Sequence, residues 1–204
     1  MITKNIIITT SLLILTACGS SINFVRPADS KINLGETKRG QIIAMLHRNA
    51  DSIGQKTINN TMIDTMEYSY LSRDNTLSDT PSEVGHIAVK GQLYYLVNNT
   101  VIGSEYHSTF AKDTTKFDIT KVPSIKKGKT TKEDIINMFG KPSIKLTRPL
   151  ISDKATGAIG YHYRTMNLAS PTDLKTTAAK LIIEYDADGI IINVSFESKN
   201  NKAS

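Results

Sequence analysis

The chain has 204 residues, 39% of them hydrophobic and 22% charged, with 25 Lys and Arg against 19 Asp and Glu, one cysteine and no tryptophan. That is enough apolar material for one domain or two small ones with real cores, and a lone cysteine excludes an internal disulfide framework and any Cys-based metal or catalytic centre. The net charge of +6 is mild and spread out, with no basic stripe of the kind that tracks a nucleic acid, so it reads as solvated surface and no nucleic-acid partner is expected.

Residues 1–17, "MITKNIIITTSLLILTA", place Lys4 before an apolar run too short to cross a bilayer core of about 30 Å, which is the pattern of a secretory signal. The ending Leu15-Thr16-Ala17-Cys18 resembles the lipobox of bacterial lipoproteins, in which the cysteine is acylated and becomes the first mature residue. Cys18 is therefore the expected lipidation site, with the membrane as a partner through its acyl chains. By the same resemblance Gly19, where aspartate would favour inner-membrane retention, implies an outer-membrane, periplasm-facing protein. Residues 18–30 are small, polar and contain Pro27, as expected of a lipidated tether.

From residue 31 the chain reads as a repeat. "INLGETKRGQIIAMLH" at 32–47 matches "IKKGKTTKEDIINMFG" at 125–140 without a gap, so that Gly35 falls on Gly128, Thr37 on Thr130 and Met45 on Met138. In the second copy Thr130 and Glu133 suggest a capping box, Ile135, Ile136, Met138 and Phe139 an apolar stripe, and Gly140 with Pro142 a stop. In the first copy Gly40 stands where the second has Glu133, which predicts a weaker helix start, and more helix could follow Leu46.

Period-two segments come next. "MEYSYLSR" puts Met66, Tyr68 and Tyr70 on one strand face, and "IGYHYRT" does the same with Ile159, Tyr161 and Tyr163, again at the helix offset. A hairpin then closes each copy, one turning at Asn98-Asn99 and the other at Asp188-Gly189. The predicted fold class is α+β, two tandem modules that each place a helix on a three-stranded antiparallel sheet in two layers. The first module spans 31–110, a linker 111–117, the second module 118–198 and a tail 199–204.

Lys127, Gly128, Thr130, Gly140, Pro142, Tyr161, Tyr163 and Gly189 together resemble the SmpA/OmlA (BamE-like) lipoprotein family. The two-module arrangement is similar to the β-lactamase inhibitor proteins. The chain departs from the family pattern at His47-Arg48-Asn49, where the first copy has no Gly-x-Pro stop. The resemblance implies a non-enzymatic outer-membrane lipoprotein that binds another envelope protein through its sheets, as an accessory of outer-membrane protein assembly. The alternative it implies is an inhibitor or immunity-type protein that blocks a periplasmic enzyme or toxin.

The residues themselves show no enzyme signature. The four histidines are scattered without metal spacing, and no nucleophile elbow or phosphate loop is present. "DADG" at 186–189 lacks the distal acid of a calcium loop, so no cofactor, metal or small-molecule substrate is expected. Alternation in the second copy separates a core face (Ile159, Tyr161, Tyr163, Leu181, Ile183, Tyr185, Ile190, Ile192, Val194, Phe196) from a mixed face. The mixed face carries His162, Arg164, Ile182, Glu184, Ile191, Asn193, Ser195 and Glu197, and is the expected partner-binding surface. Tyr94 and Tyr106 join it as the tyrosines expected to be exposed.

Overall fold

In a computed structural model, residues 22–73, 86–110, 112–170 and 173–201 are described. Cys18 and the signal segment lie outside them. The described chain forms an antiparallel sheet of eight strands in sequence order, flanked by two short α-helices and two 3₁₀ turns. Two separate helix-plus-three-strand modules are thus not what forms. Each copy contributes four strands, β1 (Ser52–Ile58), β2 (Thr61–Arg73), β3 (His86–Val97) and β4 (Thr100–Ser108) from the first, and β5 (Ile144–Leu146), β6 (Gly157–Ser170), β7 (Asp173–Tyr185) and β8 (Ile191–Asn201) from the second. The two halves merge because the three residues of β5 pair with β4 on one side and β6 on the other. Beyond them β3 reaches β6 directly at His86↔Asn167 and Ile87↔Met166. The strand after Leu46 replaces the extra helix considered there, and it turns into β2 through Asn59-Asn60, both at positive φ (48° and 59°).

The repeat survives at atomic detail where each helix begins. The Gly35 N–H donates to Val101 and the Gly128 N–H to Ile191, both at 2.8 Å, while the hydroxyls of Thr37 and Thr130 accept from Asn33 N and Lys126 N at 2.9 Å. Both glycines have positive φ (87° and 74°), which a side chain would strain. Helix α2 (Lys132–Phe139) is capped one residue later than the sequence suggests, Thr131 and Asp134 exchanging the two bonds of the box while Thr130 serves the preceding turn. Helix α1 (Arg39–Leu46) begins with the Gln41 side chain accepting from Lys38 N at 2.7 Å and ends on His47 in the left-handed region. A lysine side chain has only donors, so α1 lacks the reciprocal bond that α2 has.

Both helices lie on one face of the sheet. Ile42 and Leu46 pack on Met66, Tyr68, Tyr94 and Leu96, and Ile135 packs on Ile159, Tyr161, Leu181, Ile183 and Ile191. The gap between the helices is filled by residues 22–31, which the sequence suggested as free tether. Phe24 is buried against Tyr68, the Arg26 guanidinium sits 4.8 Å over the Tyr106 ring, and Asp29 reaches Lys145. Phe117 stands at the equivalent place in the second copy, against Tyr161 and Phe139.

Candidate functional site

The other face of the sheet carries no helix. One end of it is covered by residues 147–156, whose Leu150, Ile151 and Ala155 pack on Ile63, Tyr95, Ile144, Leu146, Ala158 and Ile182. The register places Glu67, Leu93, Glu105, Ile144, Gly160, Ile182 and Ser195 in one cross-strand row on this face. His162, Lys180 and Glu197 form part of the next row.

At the seam between the two halves, where β5 has ended, sits a network of ionisable groups. The Glu105 carboxylate is buried and lies 2.6 Å from both His162 Nδ1 and Lys180 Nζ. The Tyr95 hydroxyl donates to it from 3.3 Å. Burial alone would raise the pKa of Glu105, but the Lys180 ammonium and His162 hold its carboxyl well below the usual range. His107 packs 4.9 Å from the His162 ring and over Gly91, where a methyl group would meet its imidazole at 2.4 Å. Enclosure, with His162 beside it, pushes the His107 imidazole down to about 3. Glu67 is raised by burial and by nearby Asp51 and Glu105, and Lys56, whose ammonium lies 4.6 Å over the Tyr95 ring, is lowered by burial and by Lys180.

The structure sorts the residues expected to bind a partner. His162, Arg164, Asn193 and Ser195 do lie on the helix-free side, with Ser195 exposed and Asn193 accepting from Lys127 Nζ at 3.0 Å. Glu184 shares their face but is buried, its carboxylate accepting from Ser152 N and Oγ beneath the 147–156 segment. Ile191 belongs to the helix side, because an irregularity after Glu184 pairs it with Tyr185 and shifts the alternation of β8.

Tyr94 and Tyr106 are corrected outright. Each is 1% exposed, since the register pairs them with Ser104 and Gln92 on the helix-side face, and the Tyr106 hydroxyl donates to Asp113. Glu105, His107, Lys180 and Lys56 were missed by sequence reasoning. Glu105 and Lys180 are 75 residues apart, and no local spacing signals such a pair.

Among the described residues no three His, Cys, Asp or Glu side chains are placed to hold a metal ion, and no helix is long and apolar enough to cross a membrane. Comparison with protein-family models, curated proteins and solved structures returned no match.

Proposed function

We propose that the chain is a non-enzymatic outer-membrane lipoprotein, anchored through Cys18, whose helix-free sheet face binds another envelope protein in the manner of an assembly accessory. The observation that carries this reading is the division of the sheet: one face is filled by α1, α2 and residues 22–31, while the other keeps His162, Arg164, Lys180 and Ser195 in cross-strand order with solvent access. Antiparallel sheets can leave a face to water, but such faces are usually plain polar surface. This one has a charged network tied across strands from both copies, which fixes side-chain positions before a partner arrives and lowers the ordering cost of association.

The chemistry of the network supports a binding role over a catalytic one. Glu105 spends its charge on Lys180 and His162, and His107 is held neutral, so no acid and base are left poised side by side. The test is purification in mild detergent after photo-cross-linking from position 195. Arg164→Glu is expected to reduce the recovered partner at least tenfold while leaving the melting temperature nearly unchanged. Capture that survives the charge reversal and cross-links only through the helix layer would refute the placement. A single soluble enzyme or toxin as the captured species would favour the inhibitor or immunity reading over the assembly one.

A further inference from the structure

On the helix-free face the described acids and bases are not equally available. Glu105 and Glu184 are 6% and 5% exposed, the first neutralised by Lys180 and His162 and the second bonded to Ser152. Glu67 is half-buried beside Asp51 and Glu105, in surroundings that favour its neutral form. The cations of the same face fare differently. Lys56 on β1 has its ammonium over the Tyr95 ring and no carboxylate within ion-pair distance among the described residues, and Arg164 on β6 likewise has none. Lys199 on β8 is exposed, two residues from Glu197, the one exposed carboxylate in the rows of the network.

These groups converge. Lys180 makes Lys56 less ready to hold its proton although the two stand on β7 and β1, and Tyr95 and Glu105 connect them, so the face curls enough to bring its two flanks together. Arg164 acts on Glu67 and His107 from the same side. Buried anions and accessible cations leave an outward field that is positive around Tyr95, where, among the described residues, Lys56 and Arg164 lack a carboxylate and Lys180 is shared with the buried Glu105.

We infer that the protein partner of the helix-free face presents an acidic segment, an Asp or Glu side chain of which enters between Lys56 and Lys180 above the Tyr95 ring while a second meets Arg164. This rests on the reading that the helix-free face is the binding face, and adds to it the chemistry of the occupant. The amphipathic nature of the site fits a carboxylate on a short apolar stem, because the ring of Tyr95 supplies a flat apolar floor and the ammonium groups the charge.

The probe is an acetylated octapeptide of alternating Glu and Ala carrying a fluorophore, with the Gln-for-Glu peptide as its neutral counterpart. Anisotropy is read against the full processed chain in neutral detergent. The acidic peptide is expected to bind at least tenfold more tightly than the neutral one, to weaken as salt is raised, and to lose at least tenfold in Lys56→Glu with Arg164→Glu. Lys126→Glu with Lys129→Glu, which reverses charge on the exposed turn before α2, is expected to change little. Should the double reversal fail to fold, Lys56→Gln with Arg164→Gln gives the same comparison with less repulsion, and a threefold loss or more is then expected.

Equal binding of both peptides, or loss in the turn variant instead, would overturn the inference. So would binding to phosphatidylglycerol vesicles that Lys56→Glu with Arg164→Glu abolishes while the peptide stays unbound, or self-association that buries the face. Partner capture that is indifferent to Lys56→Glu would overturn the acidic occupant and leave the binding face standing. Peptide binding at this face with no envelope protein captured would sustain the acidic site and overturn the proposed function.

Discussion

His107 should make the protein acid-labile in a narrow and diagnosable window. Its imidazole is held neutral by enclosure and by the adjacent His162, Arg164 and Lys180, and is pushed from an ordinary 6.5 down to about 3. A base whose folded value lies below its unfolded value binds more protons when unfolded, so its contribution to stability is full above about 6.5 and is lost progressively as pH falls toward 3. The loss is about 1.4 kcal/mol for each pH unit, or about 2 kcal/mol by pH 5. Glu105 acts in the same direction but lower, since a depressed carboxylate gives up its stabilisation only below its ordinary 4.5. Glu67 acts in the opposite direction, because a raised carboxyl takes up its proton first in the folded state and gains stability as pH falls. Urea denaturation from pH 7 to 4.5 on the parent and on His107→Gln separates these, since only the difference of the two slopes belongs to His107. A His107→Gln variant whose slope between pH 6.5 and 5 equals that of the parent would refute the reasoning.

Gly35→Ala and Gly128→Ala should each cost about 1–2 kcal/mol and should match within error, since both positions have positive φ and neither added methyl meets an atom within 4 Å; unequal losses in urea unfolding would break the equivalence of the two turns. Glu105→Gln should destabilise by about 3–5 kcal/mol by leaving Lys180 and His162 uncompensated, and adding Lys180→Met should restore part of it; an unchanged melting temperature in Glu105→Gln would show the network to be idle. Cys18→Ala should release the protein from membranes or leave it unprocessed, and unchanged fractionation together with fatty-acid labelling of the variant would dismiss the lipid anchor.

Much of the local structure was legible because it depends on neighbours in the chain. Positive-φ glycines in matching places, the Gly140-Pro142 stop and the Asn98-Asn99 turn each announce a backbone conformation that few other residues adopt. The same logic makes Asn59-Asn60 a hairpin signal, and β1 could have been found from it. Tyr68 and Tyr161 were legible as core residues, since alternation sets which side of a strand they share with Met66 and Ile159.

What alternation could not supply was the side taken by a Tyr-Tyr doublet, where one ring must go each way. Tyr94 went under α1 and Tyr95 went to the network, a choice fixed by pairing with Ser104 and Gly103. The sequence by itself determined the turns, the repeated helix starts and the parity of most strands, because those follow from torsional preference and from spacing along the chain. Only the tertiary structure decided that two copies share one sheet, that residues 22–31 pack as part of the helix layer, and that Glu105 finds Lys180. Backbone hydrogen bonds between strands are the same for every side chain, so strand order and register, and with them every contact between distant residues, are settled by how the whole sheet packs.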